Sequence, residues 1–227
     1  MWAGRSGGYD RPMALVFVTG ASGFIGRALS RELLKRGHLV RGLVRKGSEG
    51  RTALGCEMVV GDPLNRRSYE ERVAGADTFV HLTGVSHPNP KKAEQFRSID
   101  LASAKIAVAA AGAAGIRHFV YVSVAHPAPI MKEYIAARSD AEACLRGSGL
   151  NATILRPWYV LGPGRWWPLF LLPVYAVLGV FPSTRESARR LGLVTQWQMV
   201  RTMVEAIEHP ASGVRVLEVP QIRAGSV

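Results

Sequence analysis

Cysteine is scarce in this 227-residue chain: Cys56 and Cys144 are its only two, far apart and outside any CxxC or zinc-type spacing. That spacing excludes a disulfide scaffold and a thiolate metal site, and it fits a reducing compartment. The six histidines form no metal-ligand pattern, so no metal is expected. Negative charge is also short, with 17 Asp and Glu against 29 Lys and Arg, a formal net charge of +12. The cations are scattered and no nucleic-acid motif interleaves them, so the surplus suits an anionic small ligand rather than nucleic acid. No internal repeat or low-complexity tract occurs. Residues 1–12 carry Gly4, Gly7, Gly8 and Pro12 but no apolar core, so they are not a signal peptide and read as a disordered extension before Met13. The most apolar stretch, Trp166 to Phe181, is shorter than the ~20 residues that cross a bilayer, and Pro168, Pro173 and Gly179 interrupt it.

What the chain does have is regular alternation. Apolar runs at Ala14–Val18, Leu39–Val44, Glu57–Val60, Asp77–Leu82, His118–Val122, Asn151–Leu155 and Val214–Val219 read as strands. Between them Phe24–Arg36, Asn65–Val73, Lys91–Ala111, Ile130–Arg146 and Gln196–Glu208 have helical features. This order predicts an α/β protein with a doubly wound parallel sheet, helices on both faces and ligands at the carboxyl ends of the strands. After Arg156-Pro157 the alternation breaks down, prolines and large aromatics cluster, and residues 157–227 are expected to form a small C-terminal lobe over the ligand edge.

The run Thr19-Gly20-Ala21-Ser22-Gly23-Phe24-Ile25-Gly26 joins the first strand to the first helix. Strand, glycine turn and helix in that order present bare backbone N–H groups at a helix N-terminus, which binds phosphate through aligned donors and the helix dipole. Gly20 permits the tight turn, Gly23 lets a ligand approach the backbone, and Gly26 lets helix pack on strand. The octet resembles the T-G-A-x-G-F-I-G fingerprint of the short-chain dehydrogenase/reductase superfamily, in its extended and atypical branches. Leu145 to Gly164 is similar to the NmrA-like and complex I subunit-like branches, which hold both reductases and proteins that only bind the dinucleotide. The resemblance implies a Rossmann domain over residues 13–156 that binds NAD(P) through Gly20, Ser22, Gly23, Phe24, Ile25 and Gly26.

The end of the second strand bears on the choice of cofactor. A carboxylate there would grip the adenosine ribose hydroxyls, yet Leu39 to Lys46 has none and ends in Arg45-Lys46. Cations suit a 2′-phosphate, so NADP(H) is expected over NAD(H), with Arg45 as the reader. Asp62 matches the Gly-Asp pair that contacts adenine in relatives. His81-Leu82-Thr83-Gly84 resembles the family's H-L-A-G segment, which implies that Leu82, Thr83 and Gly84 run beside the ribose and phosphates. Asp100 stands where relatives carry Asn or Asp in support of the fold.

Chemistry in the superfamily uses Tyr-x-x-x-Lys on a helix and a Ser at the preceding strand end. Here Tyr134 and Arg138 share one helical face, with Arg replacing Lys, and Val124 stands at the usual Ser position, one residue after Ser123. The resemblance therefore implies Tyr134 as acid/base, Arg138 as the group that stabilises the phenolate and holds the ribose, and Ser123 as donor to the substrate oxygen.

The expected protein is an NAD(P)-dependent oxidoreductase acting on a small carbonyl or alcohol substrate, walled by Trp158, Tyr159, Trp166 and Trp167 unless these simply pack a core. A non-catalytic dinucleotide sensor or assembly subunit is the alternative that Val124 and Arg138 favour. A nucleotide-sugar epimerase or dehydratase is a third, set against the short stretch after Pro157. Residues 166–181 have three modes of burial: within the lobe, in a homodimer, or against a membrane surface, so the cytoplasmic expectation includes peripheral membrane contact.

Overall fold

The computed structural model describes residues 13–128, 130–166, 169–170 and 190–225. Residues 1–12 and most of 166–181, Trp167 included, lie outside the described residues. Strands β1 (Leu15–Thr19), β2 (Leu39–Val44), β3 (Glu57–Val60), β4 (Thr78–His81), β5 (His118–Val122), β6 (Ala152–Arg156) and, late in the chain, β9 (Val214–Glu218) form one sheet. Its order is β3-β2-β1-β4-β5-β6-β9, and every pairing is parallel. This is the doubly wound Rossmann architecture that the alternation implies.

Both faces of the sheet are covered, which is why β1 is a continuous apolar run rather than an alternating one. Val16 and Val18 point into a core shared with helix α1 (Phe24–Lys35), helix α6 (Gln196–Glu208) and helix α7 (Val219–Ala224). Phe17 points the other way, into a core shared with α2 (Glu70–Val73), α4 (Ala102–Ala113) and α5 (Lys132–Gly147). In that second core, register sets Phe17 beside Phe79 and Phe79 beside Phe119, with ring centroids 5.1 Å apart at both steps. Three aromatics thus tie the central strands into one layer, and the small face of α4 (Ala104, Ala107, Ala110, Ala111) packs over them.

Several segments differ from the sequence expectation. Asn65–Val73 breaks into a 3-10 turn, Arg66–Ser68, and the single turn of α2. The expected helix 91–111 is interrupted: α3 (Ala93–Gln95) runs into a π-helical turn, Phe96–Leu101, before α4 begins. The wider turn brings both Phe96 and Asp100 into the interior. The stretch expected as a lobe divides. Tyr159–Leu161 (β7) pairs in parallel with Leu193–Thr195 (β8) as a small second sheet, while β9 extends the main sheet and α6 and α7 share the core of α1. The β7–β8 pair was invisible because three-residue strands 30 residues apart carry no periodic signal. By contrast α7 has a local signature, since Glu218 and Gln221 form a capping box with Pro220 in the first turn. Among the described residues no helix is long and apolar enough to cross a membrane.

The glycine octet shapes the join of β1 to α1. Gly20 is in the left-handed region at φ 69°, and a Cβ there would lie 3.0 Å from the Leu82 carbonyl. A Cβ on Gly26 would overlap the Gly20 carbonyl oxygen, far inside contact distance. Helix and strand therefore approach backbone to backbone. Gly26→Ala is expected to destabilise by about 1–3 kcal/mol, since the overpacking cost outweighs the roughly 1 kcal/mol gain in helix propensity. Urea unfolding reads the effect as a lowered midpoint. An unchanged or raised midpoint would show that α1 can stand off the turn.

Candidate functional site

Strand order reverses between β1 and β4, the place where a doubly wound sheet opens a crevice at its carboxyl edge. A cleft of about 390 Å³ lies there. Gly20, Ser22 and Gly23 line it from the β1–α1 turn, Leu43, Val44 and Arg45 from the end of β2, and Asp62, Pro63 and Leu64 from the segment after β3. Leu82 to Ser86 line it from the segment after β4, and Lys92, Gln95 and Ile99 from the turns leading to α4. The architecture therefore gathers into one cleft eight residues expected from sequence: Gly20, Ser22, Gly23, Arg45, Asp62, Leu82, Thr83 and Gly84. Lys92, Gln95 and Ile99 had no motif to announce them, although their i, i+3, i+7 spacing marks one helical face.

The rest of the octet serves the frame. Gly23 is the N-cap of α1, no side chain caps that helix, and no acid stands in its first turn. The positive end of the helix is therefore left for a ligand. Phe24 is turned away from the cleft: Arg165 stacks over its ring at 4.6 Å, and Gln196 Nε2 donates to its carbonyl oxygen at 2.6 Å. Ile25 packs against the core of α1, and Gly26 closes on Gly20 as described above.

At the cofactor edge Arg45 is exposed. Asp62 Oδ1 accepts from the Leu64 N–H at 2.9 Å, which rigidifies the segment after β3. The Thr83 hydroxyl oxygen is buried and has no hydrogen-bond partner among the described residues. An orphaned hydroxyl in a cleft that also holds an uncapped helix terminus and a free-standing guanidinium is a donor set matched to a polyanionic ligand carrying hydroxyl groups.

Behind the cleft wall lies a polar network. Asp100 accepts from Arg138 Nη2 at 2.5 Å and from the Val85 N–H at 3.0 Å. Arg138 Nη1 donates to the Val122 carbonyl at 2.8 Å, and its guanidinium lies 5.3 Å from the Tyr134 ring centroid. Burial alone would depress the Arg138 pKa, but Tyr134, Tyr121 and Asp100 outweigh it and hold the guanidinium firmly charged. A Cβ on Gly84 would collide with Arg138 Nη2, so only glycine lets the cleft wall pass over this pair.

A neutral chain runs alongside. The Leu82 N–H donates to Thr19 Oγ1 at 3.2 Å, and Thr19 Oγ1 lies 3.0 Å from His81 Nδ1. His81 Nε2 lies 3.4 Å from Ser103 Oγ, which donates to the Asp100 carbonyl. Because Ser103 spends its proton on that carbonyl, His81 carries its own on Nε2 and accepts from Thr19. Burial, with Arg138 nearby, drops the His81 pKa to about 3, so the ring stays neutral.

Tyr134, Arg138 and Ser123, expected as the catalytic set, are absent from the cleft lining. Tyr134 is half-buried and packs edge-on against Phe96 at 4.9 Å. Arg138 is turned to Asp100 and the end of β5 rather than to the cleft. Ser123 is buried, and its hydroxyl oxygen has no hydrogen-bond partner among the described residues. Burial tends to raise the Glu142 pKa, but the two hydrogen bonds from the Arg156 guanidinium and its charge hold it below the ordinary carboxylate value. Glu205, Glu208 and His209 bring ligand atoms within 4.8 Å of one another, but Arg36 and His38 already engage Glu208, so ion pairing accounts for that group.

A family model described as NAD(P)H-binding matches residues 20–162. Ceramide reductase of Caulobacter vibrioides is 32% identical over 177 residues, which cover 77% of this chain and 55% of that protein. A farnesyl-dihydroquinoline-oxide ketoreductase of Stigmatella aurantiaca is 30% identical over 168 residues, 64% of this chain and 50% of that one. The chain thus spans about half the length of these curated relatives. Among solved structures, the Bordetella bronchiseptica enzyme WbmH in complex with NAD+ superposes with a TM-score of 0.69 at 22% identity, covering 89% of this chain and 75% of that one. UDP-glucuronic acid 4-epimerase from Bacillus cereus, in complex with NAD, superposes with a TM-score of 0.67 at 19% identity, covering 90% and 77%. The matched span contains the glycine turn, the β2 end, the β4 segment and α5, and on that ground the chain belongs to the NAD(P)H-binding proteins of the short-chain dehydrogenase/reductase superfamily.

Proposed function

We propose that this protein binds NADP(H) in the β1–β4 cleft and exchanges hydride with the carbonyl or alcohol carbon of a small apolar substrate. The observation that carries the reading is the cleft itself: an uncapped helix terminus, the orphaned Thr83 hydroxyl and a β2 end that presents Arg45 and no carboxylate. A ceramide reductase and a farnesyl-dihydroquinoline-oxide ketoreductase stand among the curated relatives and support the reaction class.

In this reading the turn at Gly20 to Gly23 holds the diphosphate, Thr83 takes a ribose hydroxyl, Asp62 faces the adenine end and Arg45 pairs with the 2′-phosphate. When bound, the nicotinamide supplies hydride to the carbonyl carbon or removes it from the alcohol. Tyr134 gives its phenolic proton to the substrate oxygen in reduction and takes it back in oxidation. Arg138 lies close enough to stabilise charge developing on the Tyr134 oxygen, while Asp100 holds that guanidinium back from the ribose. Ser123, whose buried hydroxyl has no partner among the described residues, would donate to the substrate oxygen. Residues Trp158 and Tyr159, in edge contact at 5.5 Å, and the exposed Trp166 would border the substrate.

A second reading is a dinucleotide-binding protein without turnover. It is favoured by the guanidinium that replaces the usual ammonium and is paired to Asp100 inside the fold.

Three outcomes test these readings. Gly23→Asp supplies a good N-cap side chain yet places a carboxylate where phosphate would sit, so the variant should fold and lose NADPH binding by calorimetry. Retained affinity would move the cofactor elsewhere. Arg45→Ala should weaken NADPH by about 1.5–3 kcal/mol, the range for a lost charged hydrogen bond, and leave NADH nearly unchanged. An equal loss of both would mean that Arg45 does not read the 2′-phosphate. Tyr134→Phe should abolish turnover found in a carbonyl-reduction screen while NADPH affinity stays within a few-fold. Full activity in that variant would make Tyr134 structural, and a wild type that binds NADPH without turning over any carbonyl would favour the second reading.

A further inference from the structure

Lys92 is the second cation in the cleft lining, and nothing in the octet, the β2 end or the β4 motif points to it. Its ammonium donates to two neutral acceptors, the Ser86 carbonyl at 2.6 Å and the His87 carbonyl at 3.2 Å. No carboxylate pairs with it among the described residues. Arg138, by contrast, is spent on a buried carboxylate. Lys92 is therefore a half-buried cation whose charge is only partly answered, anchored to the segment that forms the cleft wall.

Strand order says which part of a ligand Lys92 can meet. Arg45 ends β2 on one side of β1, while Ser86 lies five residues beyond the end of β4 on the other side. Register pairs Thr19 with His81, so the glycine turn and the 82–86 segment leave neighbouring strands side by side. The two cations thus flank the glycine turn from opposite sides. A group on the β4 side is placed for the diphosphate and is separated by the width of β1 from the 2′-phosphate corner.

We propose that Lys92 is a diphosphate contact of the cofactor site and that its ammonium exchanges the Ser86 and His87 carbonyls for phosphate oxygens when a dinucleotide binds. This rests on the NAD(P)(H) reading of the cleft. Charge-assisted bonds to phosphate are stronger than bonds to neutral carbonyls, so the exchange favours binding and releases the Lys92 tie on the 86–87 segment. The contact makes no distinction between NADP(H) and NAD(H), which is the opposite of the role given to Arg45.

Calorimetry on the full chain with four probes tests it: NADPH, NADH, ADP-ribose, which keeps the diphosphate without nicotinamide, and adenosine 2′-monophosphate, which has no 5′-phosphate at all. Lys92→Met should weaken the first three by a similar factor of about ten, the size of one charged hydrogen bond, and leave the fourth within twofold. Lys92→Arg should recover most of the loss. If Lys92→Met melts earlier than wild type, Lys92→Gln, which can still donate to the Ser86 carbonyl, takes its place in the comparison. Unchanged affinity for all four probes overturns the proposal, and so does a loss confined to NADPH and the 2′-monophosphate. A wild type that binds none of the four would instead bring down the dinucleotide reading itself.

Discussion

The buried pair of Asp100 and Arg138 is the constraint on which the functional edge of this fold depends. The two side chains are 0% and 8% exposed. Taking both charges out of water is costly, and further hydrogen bonds to each group offset that cost. The Val85 N–H supplies one to Asp100 and the Val122 carbonyl one to Arg138, whose Nε has no partner among the described residues. One interaction thereby ties four segments together: the wall after β4, the π-helical turn, the end of β5 and the middle of α5. Its acid stands in the π-helical turn Phe96–Leu101, where Phe96 and Asp100 are the buried residues. The pair explains why residue 84 is glycine, since the wall crosses directly over the guanidinium.

The neutral chain from Thr19 through His81 to Ser103 extends the same logic to the glycine turn. Every proton in it has one direction that satisfies its neighbours, so the ends of β1 and β4 are held in fixed relation, and low local polarity strengthens such chains when they are fully satisfied. The cleft between those strands is therefore bounded on two sides by backbone whose position the interior dictates. The ligand-facing groups, Arg45, Thr83 and Lys92, are the ones left outside this network. That division, rigid frame within and under-satisfied donors at the edge, is what a preorganised site for a polyanion requires.

Much of the frame was legible in the chain. The β1 run, the octet and the first helix declared themselves through local chemistry, because glycine spacing and 3.6-residue periodicity are local properties. Strands β2, β3 and β5 fell where their apolar runs stand. The start of α6 was also legible, for Thr195 and Gln198 cap the helix from the N-cap and N3 positions, within one turn of each other. Less legible were β7 and β8, whose pairing joins distant segments, and the π-helical turn, whose acid pairs with a guanidinium 38 residues away.

The candidate site divides along the same line. Sequence by itself determined a parallel doubly wound sheet, a glycine turn at Gly20 to Gly26 that opens a helix and a β2 end that carries Arg45 and no carboxylate, since each is encoded in local runs of the chain. Tertiary structure alone decided that Arg138 faces Asp100 instead of the cleft, that Ser123 is buried away from the cleft lining, and that Lys92 joins the lining. A side chain's residue type says what it can bind, but which partner it meets is settled by chain crossings that bring remote charges together and by the cost of leaving any of them buried alone.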